Sequence, residues 1–132
     1  MIGYVTLGTN DLPRATAFYD ALMAELGAGR FMEHEGTFVA WATGPDAPGL
    51  SVTRPFDGQP ATVGNGVMVA LQVDSPEVVN RVHAKALSRG AKDEGAAGPR
   101  PEMPGFYAGY FRDLDGNKLN VFCFTGGEWP QP

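Results

Sequence analysis

Four residues recur in this chain at a single offset. Asp11, Pro13, Gly27 and Ala28 reappear as Asp74, Pro76, Gly90 and Ala91, each 63 positions later. Repetition in a fixed register is the signature of one supersecondary unit built twice, and the elements around the two sets follow the same order. In the first half, IGYVTLGT alternates as a strand. Asn10 and Asp11 can cap a helix whose first turn suits Pro13. Ala15, Phe18, Tyr19, Leu22 and Leu26 recur at three- and four-residue spacing, giving one apolar face, and Gly27 ends the helix. GRFMEHEG, TFVAWATG and GLSVTRPF, each bounded by glycine or proline, read as three further strands, with GPDAPG a loop.

The second half begins again with residues 66–73, GVMVALQV, as a strand. Asp74 and Ser75 cap, Pro76 opens a helix with Val78, Val79, Val82 and Ala86 on its apolar face, and Gly90 closes it. Residues 91–94 read as a brief strand, and GAAGPRPEMPG is too rich in Gly and Pro for regular structure. FYAGYFR and KLNVFCF are the last two strands, joined by the turn DLDGN. The sequence therefore predicts an α+β fold: one domain over residues 1–132, made of a βαβββ module at 1–60 and a second at 64–125.

Composition narrows the function classes. A chain of 132 residues suffices for one domain with a core. Its net charge is −5 and it has no Lys/Arg cluster, so a nucleic-acid footprint is not expected. No run approaches the ~18 apolar residues of a membrane span, and MIGYVTLGTND lacks the basic and apolar regions of a signal peptide. The single cysteine, Cys123, cannot form an internal disulfide, which fits a reducing cytoplasm. A soluble cytoplasmic domain acting on a small molecule or a protein partner is the expectation.

The paired modules, the strand leading into NDLPRATAFYDAL and the closing FRDLDGNKLNVF together resemble the vicinal oxygen chelate superfamily of glyoxalase, bleomycin-resistance and extradiol-dioxygenase proteins. The closing segment is similar to that family's D-P-D-G-x-x-x-E turn and strand, and the resemblance covers residues 1–125. It implies a glyoxalase-like fold in which the strands of both modules curl into an incomplete barrel around one cavity, with the helices on the outer face. Metalloenzymes of the family carry four ligands on the concave face, usually His or Gln and Glu. Carried over by position, these places are Tyr4, Ser51, Met68 and Asn120, the last four residues after Gly116, where the metalloenzymes have glutamate.

A phenol, an alcohol, a thioether and an amide supply no negative charge at neutral pH. Zinc favours thiolate, imidazole and carboxylate, and magnesium, manganese and iron need carboxylates or histidines. Binding a dication there would require the phenol to ionise from a pKa near ~10. No metal and no other cofactor is therefore expected at this quartet.

Other polar residues read more plainly. Glu33, His34 and Glu35 are adjacent, so a strand points them to opposite faces and they cannot converge on one ion. They are expected as solvated charges near a hairpin, with His34 reaching the cavity mouth as the lesser possibility. His83 reads as a boundary residue of the second helix, and Cys123, out of phase with Asn120, as a small buried hydrophobe. Asp113 and Asp115 belong to a turn, their carboxylates bonding backbone amides; the spacing does not suit a calcium loop. Arg100 either closes over the cavity from its loop or is simply solvated. Trp41 and Phe38 lie on opposite faces of one strand, and the sequence does not say which looks inward. Tyr110 matches a place where fosfomycin-resistance relatives meet their ligand with a tyrosine, and Phe122 shares the face of Asn120.

The expected cavity wall is thus Tyr4, Thr6, Ser51, Met68, Tyr110, Asn120 and Phe122, aromatic and apolar with a few polar groups, as small-ligand pockets usually are. The function that follows is metal-independent binding of a small, partly aromatic organic molecule, with Asn120 and Ser51 as hydrogen-bond partners, in the manner of the drug-sequestering bleomycin-resistance relatives. The alternative is a glyoxalase-like metalloenzyme of the lactoylglutathione lyase type with unusual ligands. A metal-free enzyme with Tyr4 or Tyr110 as acid/base, and an interaction module with a filled cavity, are the remaining readings. Modules of this superfamily associate within a chain or across two, and a homodimer is expected.

Overall fold

A computed structural model describes residues 1–126. The elements are β1 (Tyr4–Gly8), α1 (Leu12–Glu25), β2 (Gly29–His34), β3 (Phe38–Ala42), β4 (Gly49–Thr53), β5 (Val69–Gln72), α2 (Pro76–Ser88), β6 (Lys92–Pro99), β7 (Phe106–Arg112) and β8 (Lys118–Phe124). They fall into two compact units, residues 1–65 and the residues from Gly66 on. Each unit is a βαβββ module with its own four-stranded sheet, ordered β1-β4-β3-β2 in the first and β5-β8-β7-β6 in the second. In both, the opening strand pairs parallel with the closing strand and the other pairings are antiparallel. The fold is α+β, and neither sheet closes on itself. No described helix is long and apolar enough to cross a membrane.

In the first unit, the apolar stripe of α1 is Leu12, Ala15, Phe18, Tyr19, Leu22 and Met23. It covers Leu7, Val39, Trp41, Leu50 and Val52, all buried. Burying a side chain such as Leu22 contributes ~2 kcal/mol. Trp41 faces α1: its Nε1 donates to Asp20 Oδ1 at 2.9 Å, and its ring lies 5.8 Å from that of Tyr19. The pleat then places Phe38 and Ala40 on the opposite, open face of the sheet.

The caps separate the two halves by one residue. Asp11 caps α1 by accepting from Arg14 N at 3.1 Å, and Pro13 sits one residue inside the helix. In the second unit Ser75, not Asp74, is the cap, accepting from Val78 N, and Pro76 is the first helical residue. Gly27 (φ 72°) and Gly90 (φ 101°) then leave the helices in the left-handed conformation that glycine adopts without steric cost. Asn10 caps nothing. Its side chain clamps Ala61 instead, accepting from the Ala61 N–H at 2.7 Å and donating to the Ala61 carbonyl at 3.2 Å.

Two expected segments differ. The strand read over 66–73 narrows to Val69–Gln72, because Gly66 turns the chain at φ 92° and the pairing with β8 begins only at Val69. The brief strand at 91–94 is instead eight residues, Lys92–Pro99, running through the Gly-rich segment expected to be irregular. Register shifts at Asp93/Gly95 and Gly95/Gly98 absorb the extra residues, as β-bulges do. Arg100 supports the irregular strand, donating to the carbonyls of Ala96 and Gly98 at 2.9 Å each and of Pro99 at 3.3 Å.

The second unit buries Val79, Val82, His83 and Ala86 of α2 over its sheet. His83 is not a boundary residue but a buried one. Its Nε2 lies 3.2 Å from the Tyr110 carbonyl and 3.3 Å from Asp93 Oδ1. Two oxygen acceptors there mean that Nε2 carries a hydrogen. The ring fits because residue 109 is glycine: a Cβ there would stand 2.8 Å from His83 Cδ2.

Gly109→Ala should therefore lower stability by ~1–3 kcal/mol through overpacking, read as a lower urea midpoint. His83→Ala in the same chain should recover part of the loss; an unchanged midpoint in the single variant would contradict this packing.

Asp20 supplies a second prediction. The Arg30 guanidinium, bonded to both carboxylate oxygens at 3.0 and 2.6 Å, holds the Asp20 carboxyl below its ordinary value against a smaller opposing effect of burial, helped by Trp41. A lowered folded value means that this contribution is present above the ordinary carboxylate pKa and is lost as pH falls through the folded one. The pair is half exposed, so the contribution is at most ~1 kcal/mol. Asp20→Asn should flatten that part of the loss below about pH 4, measured by urea unfolding at a series of pH values.

Candidate functional site

Strand alternation decides which side chains share the sheet faces left uncovered by the helices. In the first unit that face carries Tyr4 and Thr6 from β1 and Ser51 from β4. The register pairs Thr6, not Tyr4, with Ser51, and Tyr4 lies opposite Gly49. Thr6 Oγ1 and Ser51 Oγ are 2.7 Å apart, and Ser51 Oγ also reaches the Val5 carbonyl at 3.4 Å. These hydroxyls satisfy each other. Tyr4 is 68% exposed, and Phe31 lies against the bare Cα of Gly49 beside it.

In the second unit the face away from α2 carries Ala70 and Gln72 of β5, Asn120 and Phe122 of β8, and Ala108 and Tyr110 of β7, with Ala108, Asn120 and Phe122 buried. Met68 precedes β5 in the phase of Ala70 and is 41% exposed. The sheet therefore brings Tyr110, Asn120 and Phe122 together and leaves Met68 outside the ladder. Asn120 is 2% exposed, and its Oδ1 is buried without a hydrogen-bond donor. The matching rows of the two sheets explain this. Ser51 has Thr6 as its parallel neighbour, whereas Asn120 has Ala70, which offers no hydrogen.

Around Asn120 the chemistry is aromatic and cationic. Phe122 forms a cluster with Phe106 and Phe124, with centroids 5.5 Å from Phe106 and 6.0 Å from Phe124. Tyr110 lies directly opposite Asn120. Arg100 Cζ stands 5.2 Å and Lys118 Nζ 5.7 Å from the centroid of the Tyr110 ring, within cation–π range. Arg100 thus neither closes over a cavity from a loop nor extends into water. It folds back onto β6 and Tyr110. Lys118 and the two flanking phenylalanines escaped the sequence reading, although period-two counting from Asn120 along KLNVFCF reaches Lys118 and Phe124.

The four positions carried over from metalloenzymes do not fit a divalent cation. Ser51 is already engaged by Thr6, Met68 offers a thioether, and Tyr4 and Asn120 are neutral groups. Among the described residues no three His, Cys, Asp or Glu side chains come together as a metal site. His34 ends β2, exposed, with Nδ1 3.2 Å from Thr37 Oγ1 and its ring stacked on Phe38. Cys123 lies beneath α2, buried, and burial pushes its thiol pKa up, away from nucleophilic character.

An open groove of about 680 Å³ lies elsewhere, lined by Asn10, Asp11, Thr16, Arg30 and Arg54 among others. It contains none of the expected site residues. Its Arg30 is committed to Asp20 and Glu33, and its Asp11 to the α1 cap. The sheet face around Asn120, with an unanswered buried acceptor, is the better candidate.

Known proteins bear on this site. The chain is similar to a glyoxalase/bleomycin resistance protein from Albidiferax ferrireducens T118, with 32% identity and a TM-score of 0.83 over 93% of this chain and 98% of that one. The fold is shared with lactoylglutathione lyase from Agrobacterium tumefaciens, at 20% identity and TM-score 0.69 over 98% and 97% of the two chains. TioX from Micromonospora sp. ML1 also shares it, at 17% identity and TM-score 0.67 over 94% and 98%. No curated protein matches the chain. The family model of the Glyoxalase/Bleomycin resistance protein/Dioxygenase superfamily matches residues 1–121, and the chain belongs to that superfamily.

Proposed function

We propose that this protein binds a small, partly aromatic organic molecule without the help of a metal ion. The observation that carries the reading is Asn120. It occupies the place where metal-binding relatives have glutamate, it is buried, and its carbonyl oxygen has no donor. A buried acceptor left unpaired costs ~1–3 kcal/mol, which a ligand N–H or O–H would offset. The neighbouring Phe122, Phe106 and Tyr110 rings supply apolar and stacking surface. A neutral amide on an aromatic wall suits recognition of an organic ligand, whereas a cation would need charge that this wall does not present.

The reading places the protein beside the family's ligand-binding members, as a cytoplasmic homodimer. Tyr4, Thr6, Ser51 and Met68 remain proposed ligand-binding residues. The competing outcome is a metal-dependent lyase.

Purified protein should hold far less than one equivalent of zinc, nickel, manganese or iron by elemental analysis. Ligand-induced thermal stabilisation should survive EDTA. Stoichiometric metal together with turnover of methylglyoxal and glutathione would replace this reading with the lyase.

Asn120→Leu tests the same atom from the stability side. Removing an unanswered buried amide while keeping its volume should raise unfolding stability by ~1 kcal/mol and abolish ligand stabilisation. A variant that is less stable and still binds would show that the amide is structural.

A further inference from the structure

We infer that the ligand is an organic acid: an aromatic body bearing both an anionic group and an N–H or O–H donor, seated against the face of the second sheet that turns away from α2. This rests on the small-ligand reading above and names the ligand's class. Three observations on the one face carry it.

The first is charge. The chain as a whole is acidic, with a net charge of −5, yet this face is not. By strand phase or by contact with residues in phase, it gathers, among the described residues, Lys92, Arg100, Arg112 and Lys118 against one carboxylate, Glu94. Glu94 is already bonded to Arg112 at 2.9 Å, which holds its carboxyl below the ordinary value.

The second is the state of the two cations at Tyr110. Arg100 spends N–H groups on three carbonyls of β6 and is fixed in place. Lys118 Nζ has the Tyr110 ring as its contact and hydrogen-bonds no described residue, though its charge also acts on the Glu94 carboxylate that Arg112 holds. It is a cation on a sheet face with its three donors unspent. The Arg100 charge, 5.2 Å from the centroid of the same ring, adds to the field an anion would meet.

The third is spacing. Lys118 and Asn120 are two residues apart on β8, and Phe122 follows two further on. They project from the same side of one strand, about 7 Å between successive members. An anionic group at Lys118, a donor at Asn120 Oδ1 and an apolar ring edge toward Phe122 and Phe106 fall in that order along the strand. A cationic ligand would meet Lys118 and Arg100 with like charge, and a purely apolar one would leave Asn120 Oδ1 unanswered.

Four probes separate these features in calorimetric titrations of the full chain at low salt. Indole-3-acetate has ring, donor and anion. 1-Naphthaleneacetate lacks the donor, indole-3-acetamide lacks the charge, and tryptamine reverses it. Indole-3-acetate should bind best, with 1-naphthaleneacetate and indole-3-acetamide each weaker by about five- to tenfold and tryptamine not detected. Lys118→Gln should weaken the two acids by about fivefold, leave the acetamide unchanged, and be rescued by Lys118→Arg. Raising salt should weaken the acids only. Tryptamine or indole-3-acetamide binding as well as the acid would overturn the acid class while leaving the small-ligand reading intact. Indole-3-acetate and 1-naphthaleneacetate binding equally would overturn the role of Asn120 as acceptor. Binding by none of the four would overturn both readings.

Discussion

The carboxylate of Asp113 sets the register on which the candidate site depends. Its Oδ1 accepts from the backbone N–H groups of Asp115 and Asn117 at 3.0 and 2.9 Å, and its Oδ2 from the Asn117 amide at 3.0 Å. Gly116 takes the left-handed conformation the turn needs, at φ 92°. The turn is thereby fixed from within, and β7 and β8 leave it with Arg112 opposite Lys118 and Tyr110 opposite Asn120. A slip of one residue would exchange the faces of every side chain on the hairpin. Leu119, Val121 and Cys123 would then turn away from α2, and Asn120 and Lys118 would turn under it.

The two modules make different uses of one topology. In the first, the row across the sheet reads Thr6, Ser51, Ala40 and Met32. The hydroxyls there pair with each other, so the row is internally satisfied. In the second, the same row reads Ala70, Asn120, Tyr110 and Gly95. Alanine cannot answer the amide, and glycine leaves room over Tyr110 that Arg100 occupies, its Nη2 3.3 Å from where a Cβ would stand. The duplicated topology thus gives two equivalent rows, one satisfied by its own side chains and one in which Asn120 finds no donor.

Local signals made most of the fold legible. Helix stripes, capping side chains and closing glycines act within a few residues of one another, so α1, α2 and the hairpin turn could be read directly. Asn120 was legible for the same reason: four residues after Gly116, a polar amide interrupts an apolar strand. β6 was not, because what keeps it extended is remote from its own pattern. Its bulges and the Arg100 bonds to its carbonyls exist only once β7 is alongside. His83 was misjudged as a boundary residue because its acceptors, Tyr110 O and Asp93, and the vacant space at Gly109 come from other strands. Lys118 shared the phase of Asn120 but looked like one more surface lysine. Its place against the Tyr110 ring, with the nearby Glu94 already bonded to Arg112, is a fact about neighbours, which no single strand records.

Tyr110 joins the core to the face turned away from α2. Its carbonyl accepts from the buried imidazole of His83 on the helix side, and its ring meets both Arg100 and Lys118 on the other. Gly109 permits the close approach of that imidazole, so the same residue pair that seats α2 also fixes the backbone from which the ring projects. A ring held this way keeps little conformational freedom, and the cost of ordering it is met during folding. The precision of the face is in this sense a property of the core beneath it: the packing of α2 on β7 determines where an aromatic platform and its two flanking charges are presented.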